Sequence, residues 1–113
     1  MLVEDLEIFQ GDDYVVTVTV RNTDGTPYSL SGFTAKAQVR RTPADNGPVV
    51  AEFGAIVQLP NLVVLSLTNT QTLALAGTYF WDVQIKSSAG AVTTLARGRV
   101  LSPQEVTREV VMA

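Results

Sequence analysis

The chain has 113 residues, of which 46% are hydrophobic and only 17% charged, and its net charge is −3. That length suits one hydrophobic core and leaves no room for a second, so residues 1–113 are expected to form one domain with its core at about 6–101; the hydrophobic share excludes a disordered chain. The eight Lys and Arg are scattered, with only Arg40 and Arg41 adjacent, so no basic patch exists for a phosphate backbone and no nucleic-acid partner is expected.

The chain opens on Met1-Leu2-Val3-Glu4-Asp5, which is acidic where a signal peptide would be basic and then apolar, so none is expected. Its apolar runs are too short to span a bilayer, and no membrane partner is expected. The protein is thus expected to stay in the cytosol or to leave it by a route that needs no signal. Glu4, Asp5 and Glu7 read as a solvated cluster that protects a sheet edge. After a short apolar run at Leu6–Ile8, Tyr14 to Arg21 alternates strictly. Tyr14, Val16, Val18 and Val20 share one face, and Val15, Thr17, Thr19 and Arg21 share the other. Asn22-Thr23-Asp24-Gly25 is a turn, with Gly25 able to take positive φ. Phe33 to Arg41 alternates again, with Phe33, Ala35, Ala37 and Val39 opposed to Thr34, Lys36, Gln38 and Arg40. Thr42 to Pro48 is a loop, Val49–Phe53 and Ala55–Leu59 are strand runs, Pro60-Asn61 is a tight turn, and Leu62–Leu67 is another run.

Thr68 to Gly77 breaks the pattern and holds one helical turn, capped by Thr70 or Asn69 and ended by Gly77. Tyr79 follows at the corner where a sandwich tyrosine bonds back to upstream backbone. Thr78 to Lys86 alternates with Tyr79, Trp81, Val83 and Ile85 on one face and Phe80, Asp82, Gln84 and Lys86 on the other. Ser87-Ser88-Ala89-Gly90 closes a hairpin onto Val92–Leu101. If Ser87 pairs with Gly90, Trp81 meets Ala96, Tyr79 meets Gly98, Phe80 meets Arg97 and Asp82 meets Leu95. A three-residue turn would shift this register. Either way Phe80 and Leu95 are expected to face outward. Residues 102–113 read as a last edge strand or an arm reaching a neighbour, with Val106, Arg108, Val110 and Val111 as its contact residues. Seven to eight short strands with one helical turn make an all-β fold, a two-sheet sandwich in preference to a barrel.

The chain has no Cys and no His. The usual nucleophile–base pairs and nearly all zinc sites are therefore out of reach. Asp12 and Asp13 are adjacent and would point to opposite faces of a strand, which is wrong for a shared acid–base site. Asn22 to Gly25 lacks the further oxygen ligands of a calcium loop, so a plain β-turn is preferred. Trp81 beside Asp82 could serve as a sugar platform, but Trp81 shares a face with Val83 and Ile85 and belongs in the core. No phosphate-binding glycine loop is present. Catalytic, metal-binding and cofactor residues are expected to be none.

Gly11-Asp12 before the first long strand, Asp24-Gly25 in the next turn and Leu30-Ser31-Gly32 before the second form the start of a recurring order. Leu65, Leu67, the Thr70–Leu75 turn, Gly77-Thr78-Tyr79, Asp82-Val83, Gly90, Leu95, Gly98 and Val106-Thr107-Arg108 continue it. This order resembles the N-terminal domain of phage baseplate upper proteins and related small phage structural proteins, over about Leu6 to Arg108. The resemblance implies an immunoglobulin-like sandwich and a non-enzymatic virion subunit, with a tail, baseplate or fibre-attachment adaptor preferred over a capsid decoration protein. Its implied partners are other virion proteins and further copies of itself. Baseplate upper proteins continue into helical and receptor-binding-protein-docking regions, so this chain is expected to be the module alone. The expected interface comprises Phe80, Leu95, Arg97, Val106, Arg108, Val110 and Val111. A carbohydrate- or ligand-binding sandwich is the alternative of another class.

Overall fold

Alternating apolar and polar residues bury one face of a strand and wet the other, so such strands stack as two sheets with their apolar faces together. In the computed structural model, which describes residues 2–42 and 48–102, they do so. The strands are β1 (Leu2–Val3), β2 (Leu6–Glu7), β3 (Tyr14–Thr19), β4 (Thr34–Arg40), β5 (Val49–Glu52), β6 (Gly54–Gln58), β7 (Leu62–Leu67), β8 (Gly77–Lys86) and β9 (Val92–Ser102). One short helix, α1 (Asn69–Leu73), links β7 to β8.

The larger sheet has the order β1-β9-β8-β4-β5, with β2 also on β9, and the smaller has the order β3-β7-β6. Strands β4, β8 and β9 thus form one sheet and β3, β7 and β6 the other, the two-sheet sandwich that the alternation implied. Leu6, Ile8, Leu30, Val39, Phe53, Leu65, Tyr79, Trp81 and Val100 are among the residues that fill the space between them. Phe53 and Trp81 meet edge to face, with ring centroids 6.4 Å apart.

The N-terminal stretch is more structured than its acids suggested. β1 and β2 run parallel to β9 in one unbroken register, Leu2 and Val3 against Ala96 and Arg97, Leu6 and Glu7 against Val100 and Leu101. Backbone bonds from Glu4 N–H to Arg97 O (2.9 Å) and from Ile8 N–H to Leu101 O (3.0 Å) complete the seam. A parallel pairing between the two ends of the chain leaves no local signature, so β1 went unforeseen.

The β8–β9 hairpin corrects the expected register. Ser87 N–H bonds Ala91 O, Gly90 N–H bonds Ser87 O, and Gly90 takes φ +93°, so the turn holds three residues and shifts the pairing by one. Beyond Thr94 the register shifts again, because Gln84 faces Thr94 while Val83 faces Ala96, leaving Leu95 as a bulge. Trp81 therefore faces Gly98, Tyr79 faces Val100, Phe80 faces Arg99 and Asp82 faces Arg97. Large still meets small at Trp81, but the small residue is Gly98.

Helix α1 is capped upstream of both expected positions, Asn69 and Thr70. Thr68 is the N-cap, its hydroxyl accepting from Gln71 N–H while the Gln71 side chain accepts from Thr68 N–H. The helix ends at Ala74, and Gly77 instead opens β8 with φ +104°. Asp13 holds the helix start by accepting from Asn69 N–H at 2.7 Å. The fully buried Thr72 hydroxyl donates to Asp12 O at 2.7 Å and accepts from Gly11 N–H at 3.1 Å. Tyr79 behaves as expected: its hydroxyl donates to Ala76 O at 3.2 Å and accepts from Ala76 N–H at 3.1 Å. Among the described residues no helix is long and apolar enough to cross a membrane.

Candidate functional site

The outer face of the larger sheet gathers side chains from four strands, because matched registers carry alternate residues of each strand to the same side. One row runs Arg40, Phe80, Arg99, and the next runs Gln38, Asp82, Arg97, Val3. Phe80 is half-buried and lies between two arginines in its row. A groove of about 670 Å³ passes over this face, lined by Val3, Asp5, Arg40, Phe80, Asp82 and Arg97 among others.

Asp5 and Arg99 close the row at its N-terminal edge. Arg99 Nη2 stands 2.8 Å from Asp5 Oδ2, and Arg99 backbone N–H donates to Asp5 Oδ1 at 3.1 Å. Those two hydrogen bonds, side chain first, hold the Asp5 carboxyl below the usual carboxylate range, and Asp5 in turn raises the Arg99 guanidinium. The pair is solvent-exposed, so it orients the arginine more than it stabilises the fold. Arg40 leans along β4, its Nη2 donating to Gln38 Oε1.

Beneath the groove the floor is fixed by Trp81. Its indole N–H donates to Glu4 O at 2.9 Å, directly over Gly98. Trp81 is only 4% exposed, so the sugar-platform reading loses its aromatic surface.

The sequence reading named Phe80, Leu95 and Arg97 as one patch. Phe80 and Arg97 do share this face. Leu95 does not: as the bulge residue it turns inward and packs, half-buried, against the core. Leu95 instead borders a smaller cleft of about 270 Å³ beside Val18, Val20 and Arg21. Val106, Arg108, Val110 and Val111 lie outside the described residues, as does the question of whether residues 103–113 form an edge strand or an arm. Arg40, Arg99, Asp5 and Val3 were not among the expected site residues. The alternation of Arg97 and Arg99 on β9 could have flagged the arginine row, but the mistaken register paired Phe80 with the wrong one.

Elsewhere Asp13 and Asp24 are occupied by local structure. Asp24 accepts from Thr26 N–H at 3.0 Å and from the Thr26 hydroxyl at 2.6 Å, with Gly25 at φ +89°, so the segment is a β-turn. Those bonds, the hydroxyl first, lower the Asp24 carboxyl. Among the described residues no cluster of three or more acidic, His or Cys side chains is placed to hold a metal ion.

No known protein family and no curated protein matches the chain. Among solved structures it is similar to the crystal structure of CopC from Methylosinus trichosporium OB3b, with a TM-score of 0.53 and 14% sequence identity, over 93% of this chain and 89% of that one. That likeness concerns the β-sandwich fold.

Proposed function

We propose that this chain is a non-enzymatic structural subunit that works through protein–protein interfaces, and that it serves in a bacteriophage particle as a tail, baseplate or fibre adaptor. The observation that supports an interface role is Phe80 set between Arg40 and Arg99, with Arg97 and Asp82 in the adjoining row. An aromatic anchor ringed by arginines on a rigid sheet is the composition of binding hot spots. The groove offers a partner an apolar floor at Phe80 and Val3 and charged side chains at its rim. The assignment to a virion, and to the tail in preference to the head surface, rests on the order of sequence motifs and extends the physical reading of the groove.

The test is capture of virion proteins on the immobilised chain, alongside localisation of the chain in purified particles. One particle protein should be retained by the wild type. Phe80→Ala and Arg97→Ala should each weaken it by about 30-fold, or ~2 kcal/mol, with unchanged melting temperature. Absence of the chain from particles would remove the virion assignment. Unaltered capture by both variants would remove this face from the interface.

A further inference from the structure

The registers set three guanidiniums around the Phe80 ring. Arg40 and Arg99 flank it in its own row, and Arg97 stands one step diagonally away on β9. The three are not equivalent. Arg99 is held by the Asp5 carboxylate, 2.8 Å away. Arg40 is held along β4 by the Gln38 side chain. Arg97 is exposed, and among the described residues no hydrogen bond or ion pair holds its guanidinium. Asp82 faces Arg97 in the β8–β9 pairing, but Asp82 has an interaction of its own. The groove is thus lined by three arginines against the two carboxylates Asp5 and Asp82. That leaves a surplus of one cation, on a chain whose net charge is −3.

We propose that the groove takes an extended segment of a partner protein in which a carboxylate side chain stands beside an apolar one, the carboxylate on Arg97 and the apolar group on Phe80 and Val3. This rests on the reading of the groove as an interface and adds the chemistry of what fills it. A guanidinium offers a planar fork of N–H donors that matches the two oxygens of a carboxylate. Arg97 takes such a partner without giving up a bond inside the chain. Arg99 would have to leave Asp5, and Arg40 would have to leave Gln38. A surplus of one cation suits one carboxylate and falls far short of what a phosphate backbone needs.

The spacing fits an extended chain. The groove crosses β4, β8, β9 and the N-terminal edge, with residues from each in its lining. Three strand spacings make about 14 Å, the span of four or five extended residues. In such a chain side chains two residues apart share a face and stand about 6.7 Å apart. The diagonal from Phe80 to Arg97 is close to that, about 7–8 Å. A carboxylate and an apolar side chain two residues apart therefore reach Arg97 and Phe80 together.

Selection of short random displayed peptides on the immobilised full chain tests it. Enriched peptides should carry Asp or Glu two residues from Phe, Tyr or Leu. Synthetic copies should bind Arg97→Gln at least about tenfold more weakly than the wild type, with an unchanged melting temperature, because Arg97 is exposed. Selection on Arg97→Glu should instead enrich Lys or Arg at the same place. Enriched peptides without an acidic preference, or acidic ones indifferent to Arg97→Gln, overturn the proposal and leave the Phe80 interface standing. A selection that enriches nothing overturns it in the same way. Acidic peptides that bind Phe80→Ala as tightly as the wild type remove the groove from both readings.

Discussion

At Gly98 a Cβ would stand 1.8 Å from the Glu4 carbonyl oxygen, so only glycine lets the chain between β1 and β2 lie against β9 there. Gly98→Ala must push that segment away and break the Trp81–Glu4 hydrogen bond. The expected cost is about 1–3 kcal/mol, the range for overpacking a tight contact. The chain has one tryptophan, so its fluorescence should shift to the red as water reaches the indole, in step with the loss in denaturant midpoint. Asp5 gives a second expectation at this scale. Its folded pKa lies below the ordinary 3.8, so the stability it contributes is full above 3.8 and is lost as pH falls through the folded value. Asp5→Asn should lower stability slightly at neutral pH and leave it nearly unchanged in strong acid, so the acid limb flattens, as chemical denaturation at stepped pH would record. The Tyr79 corner was legible because its partner lies three residues upstream, within one local pattern. The role of Gly98 was not, because its neighbour Glu4 lies at the opposite end of the chain and glycine carries no side chain to announce a contact.

Elements were legible wherever one face was buried and the other wet. The runs from Tyr14, Phe33 and Thr78 fold as strands with the expected faces inward, because period-two alternation has one burial solution. Pairing was less legible. The hairpin register depends on one residue of turn length and on the Leu95 bulge, and alternation is unchanged by either, since it constrains each strand and not its partner. The α1 cap could have been read: Thr68-Asn69-Thr70-Gln71 has the Thr-x-x-Gln spacing of a capping box. Thr72 sets the stability of this corner, because its buried hydroxyl joins α1 to the Gly11-Asp12 backbone. Thr72→Val keeps the shape and removes both bonds, leaving an N–H and a C=O without their partner. Equilibrium unfolding should show a loss of about 1–3 kcal/mol, and hydrogen exchange should rise first at Gly11 and along α1. A loss spread evenly over both sheets would mean that Thr72 acts through the core as a whole.

For the whole molecule, the two-sheet fold could be read from strand count and turn chemistry, whereas the groove could not, because it assembles residues from both ends and the middle of the chain. Val3, Arg40, Phe80 and Arg97 become neighbours only after β1 docks on β9 and β4 on β8. The same topology bears on the C-terminal residues. Strand β9 ends at Ser102, which faces Gly77 and is 2% exposed, its hydroxyl donating to Leu75 O at 3.1 Å. Among the described residues the buried apolar cluster runs from Leu6 to Val100. A chain ending at Ser102 therefore keeps every strand pairing described above, and its melting temperature should fall by no more than about 4 °C, the shift that accompanies a loss near 0.5–1 kcal/mol in a domain this size. Capture through Phe80 should persist as well, unless residues 103–113 are themselves the contact. Calorimetry separates the cases. An unfolded truncated chain assigns the last eleven residues to the core, whereas a folded one that has lost capture assigns them to the partner.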